Sequence, residues 1–483
     1  MEGPRDFDVV IAGGGPAGCA AAASLAELGQ SVLLVDAGVD RHKQLSGELL
    51  HPTGVLALRE LGFGDVIDAW TACPVRGFAV FFSAPDHTVV LPYARGVTGL
   101  SLEHATLTLP LLEAVARKPG VTVQTQARVT AVERNDARGV RLRFLHEGAE
   151  HAVSARLLVA ADGRASPVRR MLGISERFTR ISTMLGLTVD SACLPRPEHG
   201  HQFVGGPLYA LAYAIQPDVA RVMVDLPLGS TARTLRERPE LLSALPPALN
   251  AEVRRALEVT ATPRMASNDD RLAQTVWKQS AVLVGDAASC CHPLTGSGMT
   301  SCFHDARALQ EALRRHPDDV PRALEQYACV RRPAQRTRVA LASSLYDACS
   351  GQDAGMRALR LGLWRYWEHS PRGARVSMSL LSSEEARIRV LAREYLCVVG
   401  HSLAMLRSGP SLEGRARTAV PLLRSTVPPL RGALASTLEQ VEGWCHRRVR
   451  HLRLRARPLG QRATAEGRPR IQPVAPAAPV HVA

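Results

Sequence analysis

Two glycine-rich stretches carry the residue types best suited to chemistry in this 483-residue chain. The first, GGGPAG at residues 13–18, directly follows the apolar run Val9–Ile11 and opens an alanine-rich segment. The second, GDAASCCHPLTGSGM at residues 285–299, places an aspartate after another apolar run and continues with few bulky side chains. Because a loop of this kind lets a large flat ligand approach the backbone, both stretches predict ligand-binding loops.

The first stretch has the spacing of a dinucleotide-binding turn. Gly13 permits a tight turn, Gly15 lets the backbone approach a pyrophosphate, and Gly18 lets the helix pack closely on the strand. The helix that begins there offers amide groups and a partial positive charge to phosphates. Asp36 ends the following apolar run, SVLLVD, where a carboxylate would accept hydrogen bonds from a ribose. The pattern predicts a dinucleotide site, and its place near the N-terminus favours FAD over a nicotinamide.

Two further stretches combine an acidic residue with the start of a helix. LLVAADGRASPVRRMLG, at residues 157–173, predicts a buried strand that delivers Asp162 to a turn, after which Ser166 begins a helix. GELL, at residues 47–50, places Glu48 before an amphipathic helix. The alternative for residues 157–173 is an ordinary strand–turn–helix, and the two glycine-rich motifs in the same chain weigh against it. The alternative for the Glu48 stretch is a plain loop before an amphipathic helix.

Charge and cysteine content exclude several classes of protein. Residues 401–483 hold fourteen arginines, four glutamates and no lysine or aspartate, so they contribute +10 of the net charge of +14. No aromatic residues interleave with a basic stretch as in a nucleic-acid site, and we predict no nucleic-acid partner. The ten cysteines form no CxxC pair and no converging ligand set, so we predict no metal site and a reducing cytoplasm. We expect no signal peptide and no transmembrane helix.

The order of three motifs resembles the FAD-dependent monooxygenase superfamily, which contains the aromatic hydroxylases. These motifs are GGGPAG, ADGRASPVRR at residues 161–170 and GDAASCCHPLTGSGM. GELLHPTGVLALRELG and HPLTGSGMT, which begin at Gly47 and His292, are most similar to squalene epoxidase and its relatives. The resemblance covers roughly residues 7–340 and implies an α/β fold. That fold has a Rossmann-type FAD-binding domain, an interleaved antiparallel β-sheet substrate domain and a C-terminal helical region.

The resemblance also implies domain boundaries. We expect a discontinuous FAD-binding domain from residues 1–64, 106–175 and 271–340. Alternating stretches such as GFAVFFSA and ARVMVDL predict antiparallel strands, and residues 65–105 and 176–270 are expected to form the substrate sheet. A helical region over 341–457 and a disordered tail over 458–483, rich in proline, alanine and arginine, complete the chain.

The cofactor-contacting residues follow from the resemblance, position by position. Asp286 is expected to contact the ribityl or pyrophosphate part of FAD, and Val129 the adenine through its backbone. Gly296 and Gly298 keep side chains away from the isoalloxazine ring, while Met299 matches a flavin-contacting position. The full set of expected cofactor-binding residues is Gly13, Gly15, Pro16, Ala17, Gly18, Asp36, Ala37, Arg41, Gln44, His104, Val129, Asp162, Asp286, Pro293, Gly296, Gly298 and Met299.

The chain departs from the family pattern at several positions. His104 and Thr106 fall where related enzymes carry an arginine, and Gln44 stands where squalene epoxidases place an arginine before the Gly-Glu pair. Arg41 and Lys43 lie close to that position. These departures bear on the substrate more than on the cofactor.

The resemblance implies that NAD(P)H reduces FAD, directly or through a partner flavin reductase. O2 then forms a flavin C4a-hydroperoxide that epoxidises a lipophilic alkene, an isoprenoid, prenylated or polyketide natural product. An aromatic-ring hydroxylase of a secondary metabolite is the main alternative, followed by a geranylgeranyl-reductase-like flavoenzyme. Because FAD carries the chemistry, no firm catalytic residue is predicted, and His292, Glu48 and His51 are weak candidates for proton transfer.

The expected substrate pocket is apolar and aromatic, which suits a lipophilic molecule. Its candidate lining residues are Phe78, Phe81, Phe82, Tyr209 and Tyr213. The stretch VEGWCHRRVRHLRLRARP, near the C-terminus, is typical of a basic helix on an anionic membrane surface, or of a solvated helix that caps the core. Cytoplasmic localisation, with peripheral contact at the inner membrane face, is therefore expected.

Overall fold

A computed structural model of the chain describes residues 5–38, 45, 47–82, 87–94 and 96–407. The predicted cofactor contacts Arg41 and Gln44 lie outside the described residues, as do the basic C-terminal stretch and the tail at 458–483. The expectations for those segments stay predictions.

Nineteen strands occur in the described part of the chain. In order they are β1 Phe7–Ala12, β2 Val32–Val35, β3 Leu49–Leu50, β4 Cys73–Val75, β5 Gly77–Phe82, β6 Thr88–Pro92, β7 Gly99–Ser101, β8 Val121–Gln124, β9 Ala127–Asp136, β10 Gly139–His146, β11 Ala149–Ala160, β12 Glu176–Asp190, β13 Gly200–Val204, β14 Ala210–Ala214, β15 Val219–Leu226, β16 Arg264–Ala273, β17 Trp277–Lys278, β18 Ala281–Leu283 and β19 Ser289–Cys290.

Twelve α-helices accompany these strands in the same described residues. They are α1 Pro16–Ala26, α2 Pro52–Leu58, α3 Gly64–Asp68, α4 His104–Ala116, α5 Pro167–Met171, α6 Ala232–Glu237, α7 Pro247–Val259, α8 Gly298–Arg315, α9 Val320–Ser350, α10 Ala354–His369, α11 Pro371–Leu381 and α12 Ile388–Arg407. Short 3₁₀ turns cover Gly285–Ala287 and Pro293–Thr295, and both lie within the second glycine-rich stretch.

The first sheet brings the motifs together. Its main path runs β17-β18-β11-β1-β2-β8, and the pairs among β18, β11, β1, β2 and β8 are parallel. The last four residues of β1 and all of β2 are apolar and buried, which is typical of parallel strands covered on both faces. Gly13, Asp36, Asp162 and Asp286 follow the carboxyl ends of β1, β2, β11 and β18. Ligands bind at this edge of an open α/β sheet.

The second sheet has eight strands in the order β19-β16-β12-β15-β14-β13-β5-β6. It joins strands from both segments predicted to form the substrate sheet. Its pairs are antiparallel except for β13 with β5, which is parallel. One face packs against α7 in an apolar cluster, and the other packs against α9 to α12 in a second cluster. The sheet therefore separates two cores.

The helices that follow α8 cover the second sheet. Helix α9 runs continuously through residue 340, so the predicted FAD-binding segment and the predicted helical region share one helix, and their boundary stays a prediction. Among residues 5–407, wherever the structure describes them, no helix is both long enough and apolar enough to cross a membrane.

Candidate active site

A cavity of about 460 Å³ lies between the carboxyl edge of the first sheet and the second sheet. Fourteen of the predicted cofactor residues line it. They are Gly13, Gly15, Pro16, Ala17, Asp36, Ala37, His104, Val129, Asp162, Asp286, Pro293, Gly296, Gly298 and Met299. The structure thus brings together residues that are spread over almost 290 positions of sequence.

The three motif glycines have different reasons to be glycine. Gly13 has φ +103°, and a Cβ added to it would stand 2.4 Å from the carbonyl oxygen of Ala161. A Cβ on Gly18 would stand 1.8 Å from the carbonyl oxygen of Gly13, so Gly18 lies in the strand–helix contact and not on the cavity. Gly15 has an extended backbone, and a Cβ there would meet no protein atom within 4 Å. Only Gly15 leaves its space open, towards the cavity.

Acidic side chains fix the turns around this space. Asp36 is buried, and its Oδ1 accepts a hydrogen bond of 3.1 Å from the backbone N–H of Gly14. Asp162 accepts from the hydroxyl of Ser166 and from the N–H of Val168. Burial raises the pKa of Asp162 above its usual range, against the effect of these hydrogen bonds. Ser166 in turn caps α5 by accepting from Arg169 N–H.

The turn that carries Asp286 is held from behind by α8 and α9. Gly285, with φ +60°, donates its N–H to Asp305 Oδ2 at 2.9 Å. The other oxygen of Asp305 accepts from Arg331 Nε at 2.6 Å and from Gln335 Nε2 at 3.1 Å. These partners come from distant helices and share no local motif, so the sequence did not point to them.

Two buried arginines near the cavity were also missed. Arg169 donates from Nη1 to the carbonyl of Ala287 at 2.8 Å, which ties α5 to the 285–287 turn. Arg338 lines the cavity and donates from Nη2 to the carbonyl of Ser289 at 2.6 Å. An arginine inside a helix gives no sequence signal that it is buried, although Arg169 is part of the ADGRASPVRR motif.

Glu48 forms a buried ion pair. Arg221 donates from Nη2 to Oε1 at 2.8 Å and from Nε to Oε2 at 3.0 Å, and both side chains are almost fully buried. The phenol of Tyr213 donates to Oε2 at 3.3 Å. Both oxygens of the carboxylate are therefore engaged, and this arrangement favours a structural role for Glu48 at the cavity wall.

His51 lies behind the cavity wall. Its Nε2 is 2.8 Å from the carbonyl oxygen of Thr295, and its Nδ1 is 2.6 Å from the hydroxyl of Tyr93. Because a carbonyl only accepts, Nε2 carries the hydrogen and Nδ1 accepts from Tyr93. Burial lowers the pKa of His51 to about 4. The ring is therefore neutral at pH 7 and holds the 293–295 turn in place.

Acid is expected to destabilise the protein through His51. Its pKa is about 4 in the folded protein and 6.5 as a free side chain, so the unfolded chain binds a proton that the folded protein does not. The part of the free energy of unfolding that depends on His51 is fully present above pH 6.5. It is lost as the pH falls towards 4, and the loss is roughly 2–3 kcal/mol. Denaturant unfolding at pH 7 and pH 4.5 measures the loss.

The control for this prediction is the His51→Gln variant. His201 and His304 also have pKa values lowered to about 4 by burial, so the variant should keep part of the acid sensitivity. Its free energy of unfolding should fall less between the two pH values than that of the wild type. An equal fall in both proteins would contradict the assignment to His51.

His292 lines the cavity and is buried. Its Nδ1 accepts from the N–H of Leu294 at 3.2 Å, and its Nε2 lies 3.2 Å from Asp225 Oδ1. Of the three proton-transfer candidates, Glu48 and His292 line the cavity and His51 does not.

Much of the half of the cavity next to the second sheet is apolar, and His201, Ser267, Asn268 and Asp269 of that sheet also line it. Among its lining residues are Leu49, Phe78, Met184, Leu211, Tyr213 and Met223.

Two of the five predicted aromatic lining residues are confirmed there, Phe78 and Tyr213. Phe81 was a wrong candidate, because side chains alternate along β5 and its ring packs on the opposite face against Phe203. Phe82 packs against Trp367, and Tyr209 is buried beside His292 without reaching the cavity.

Three thiols line the same cavity, those of Cys290, Cys291 and Cys302. Burial raises the pKa of all three, to about 11 for Cys291. Since only the thiolate is a good nucleophile, these cysteines are expected to be inert. Within the described residues, no group of three or more His, Cys, Asp or Glu side chains could hold a metal ion.

Alkylation of the native protein checks the state of these thiols. With iodoacetamide at neutral pH, Cys329, which is exposed, should be labelled well before the three cavity cysteines. Peptide mass spectrometry gives the order in which the cysteines are alkylated. The same reaction in guanidinium gives the alkylation rate of each cysteine in the unfolded chain. Rapid labelling of Cys291 in the folded protein would contradict a protonated, protected thiol.

Comparison with known proteins identifies a family and relatives that match most of the chain. The family described as FAD binding domain matches residues 6–342. Squalene epoxidase erg1 of Aspergillus fumigatus is 30% identical over 389 residues, which cover 75% of this chain and 79% of that protein. Squalene monooxygenase of Mus musculus is 28% identical over 409 residues, or 81% of this chain and 71% of that protein.

Solved structures share the fold. PqsL of Pseudomonas aeruginosa, in complex with 2-aminobenzoylacetate, has a TM-score of 0.62 and 24% identity over 71% of this chain and 97% of that chain. OxyS anhydrotetracycline hydroxylase from Streptomyces rimosus has a TM-score of 0.62 and 23% identity over 78% of this chain and 76% of that chain. At these identities the likeness extends to the fold alone.

Proposed function

This chain belongs to the FAD-dependent monooxygenase superfamily and is squalene epoxidase-like, and from that premise we propose that it inserts one oxygen atom from O2 into a lipophilic alkene. It is a flavoprotein oxidoreductase with NAD(P)H as the ultimate electron donor. The proposed substrate is an isoprenoid, a prenylated molecule or a polyketide, and the proposed reaction is epoxidation.

The residues around the cavity fit FAD. The observation that carries this fit is the space beside Gly15, which no atom of the described residues occupies although Gly13 and Gly18 are both closely packed. We propose that the pyrophosphate lies against Gly15 at the N-terminus of α1, with a ribose at Asp36 and the adenine at Val129. The isoalloxazine would then face the backbone of the loop Pro293–Met299, where Gly296 and Gly298 add no side chain.

When bound, FAD supplies the electron transfer and oxygen activation that side chains cannot provide. The chain contributes binding, orientation and exclusion of water. Helix α8 begins at Gly298, on the cavity wall, so its N-terminal dipole would stabilise negative charge on the ring. The apolar side chains of Phe78, Met184 and Met223 keep the opposite wall dry, which suits a reaction that water would divert.

The apolar wall carries the assignment to a lipophilic substrate. Two polar side chains of that wall are engaged within the protein, since Glu48 is paired with Arg221 and Tyr213 donates to Glu48. An apolar chain can fill such a wall without leaving a buried polar group unpaired. The relatives named squalene epoxidase support an alkene as the reacting group.

The direct test is the mass of the product formed from squalene under heavy-isotope oxygen gas. NADPH is supplied with and without a generic flavin reductase, which separates direct from partner-mediated reduction. A squalene product with one labelled oxygen supports the proposal. Oxygen uptake that yields only peroxide, with squalene and a panel of prenylated and polyketide alkenes untouched, contradicts it.

A matched pair of variants separates the substrate pocket from the fold. Phe78 and Phe81 lie on the same strand, but only Phe78 lines the cavity. Phe78→Ala should raise KM for the substrate or divert oxygen to peroxide, whereas Phe81→Ala should leave turnover per folded molecule unchanged.

Cytoplasmic localisation with contact at the inner membrane face is part of the proposal, because lipophilic substrates partition into membranes.

A further inference from the structure

A buried polar cluster stands at the junction of the cavity and the second sheet. Its centre is the carboxylate of Asp225 on β15, which is 4% exposed. Oδ1 accepts from the hydroxyl of Ser182, from Asn268 Nδ2 at 2.8 Å and from His292 Nε2 at 3.2 Å. Oδ2 accepts from the hydroxyl of Tyr346 at 2.9 Å. The carboxylate thus accepts three hydrogen bonds at Oδ1 and one at Oδ2, and both of its oxygens are engaged.

The contacts of His292 fix its tautomer. The N–H of Leu294 donates to Nδ1, so Nδ1 holds a lone pair and the hydrogen is on Nε2, directed at Asp225. Asn268 Nδ2 also lies 3.2 Å from Nε2. Its two hydrogens are directed at Ser182 and Asp225, so it does not compete. The backbone N–H of Leu294 thus keeps Nδ1 unprotonated, and the carboxylate of Asp225 accepts the hydrogen bond from Nε2.

The ring of His292 caps the 3₁₀ turn Pro293–Thr295 at its start. Two other side chains hold the same turn. Gln202 donates from Nε2 to the carbonyl of Leu294 at 3.0 Å, and His51 donates to the carbonyl of Thr295. Asp225 and Gln202 come from the second sheet, and His51 precedes α2. Side chains from the second sheet and from the segment before α2 therefore both hold the 293–295 turn by hydrogen bonds.

We propose that Asp225 and His292 form a positioning pair for the flavin-facing loop. Asp225 holds the imidazole in the tautomer that caps the turn, and the capped turn sets where the backbone of Pro293–Met299 stands. The substrate sheet thereby fixes the surface against which the cofactor ring is oriented. This inference rests on the proposed function, which places the ring beside that loop. Both ring nitrogens are engaged within the protein, and this favours positioning over proton transfer by His292.

The first test is Asp225→Asn, which keeps the shape of the side chain and removes its charge. An amide oxygen is a weaker acceptor than a carboxylate, so the hydrogen bond that holds the hydrogen on Nε2 is weakened. A hydrogen on Nδ1 would then face the N–H of Leu294 and release the turn. We expect FAD affinity of the apoprotein, and the fraction of O2 recovered in product, to fall about fivefold to tenfold, the effect of one hydrogen bond. The visible flavin spectrum should shift as well.

A pair of substitutions at His292 separates positioning from acid–base chemistry. His292→Ala removes the cap and should weaken FAD binding as Asp225→Asn does. His292→Asn supplies a good capping oxygen but no titratable ring, and it should recover most of the affinity and coupling lost in His292→Ala. If Asp225→Asn fails to fold, this pair decides alone.

Either of two results would overturn the positioning pair. In one, Asp225→Asn has the FAD affinity, spectrum and coupling of the wild type. In the other, His292→Asn is as defective as His292→Ala, which would make the imidazole itself the active group. Should the wild type transfer no oxygen to any alkene, the proposed function fails, yet FAD affinity and the spectrum still decide the role of the pair.

Discussion

Replacing Gly15 by alanine is expected to leave the fold intact and to weaken FAD binding about 10- to 100-fold. The added methyl group meets no protein atom, and the backbone at Gly15 is one that any residue adopts. It would occupy the space proposed for the pyrophosphate, and overpacking of this kind costs typically 1–3 kcal/mol, which corresponds to that range of affinity. Titration of the apoprotein with FAD, followed by flavin fluorescence, measures the effect.

Gly18→Ala is the matched control because the two glycines lie on the same turn of chain. Its methyl group would stand 1.8 Å from the carbonyl oxygen of Gly13, so the apoprotein itself should lose stability. The two variants should therefore differ in kind, one in cofactor affinity and the other in the free energy of unfolding. Wild-type FAD affinity in Gly15→Ala would show that the pyrophosphate does not approach the chain here.

Breaking the Glu48–Arg221 pair from one side should cost more stability than any other single change considered. In Arg221→Met, the carboxylate of Glu48 stays buried and, among the described side chains, keeps only the phenol of Tyr213 as a donor. Removing one partner of a buried pair typically costs about 3–5 kcal/mol, because the remaining charge is uncompensated. Equilibrium unfolding in denaturant at pH 7 measures the loss.

The double variant Glu48→Gln with Arg221→Met should recover much of that stability. A neutral amide is far cheaper to bury than a charge, so the double variant is expected to be more stable than Arg221→Met alone. Equal stability of the single and double variants would mean that the ion pair is not what Arg221 contributes.

The residues expected to contact the cofactor lie around one cavity because several of them obey a local rule. Gly13, Asp36, Asp162 and Asp286 each follow an apolar run, and parallel strands bring their carboxyl ends to one edge. For Gly13 and Asp36 the sequence pattern itself predicted a dinucleotide site, whereas the role of Asp286 was inferred from the family resemblance. The order of the strands was not needed.

The substrate half could not be predicted in the same way. Glu48 is paired with an arginine 173 positions away, and His292 is held by a carboxylate 67 positions away. Pairings between distant strands depend on sheet topology and register, which no local pattern contains. Phe78 and Phe81 show the same limit, since strand alternation predicts that they face opposite ways but not which of them faces the cavity.

The three thiols that line the cavity, of which Cys291 is partly exposed, bear on how many turnovers such an enzyme completes. Oxygen that escapes coupling leaves as peroxide, and peroxide oxidises cysteine through the thiolate. With a pKa of about 11, Cys291 is ionised in only about one molecule in ten thousand at pH 7, and burial acts in the same direction on Cys290 and Cys302. The low thiolate content therefore protects the cavity wall from oxidation by peroxide that uncoupled turnover releases. The number of turnovers before inactivation should depend on how well burial keeps these thiols protonated.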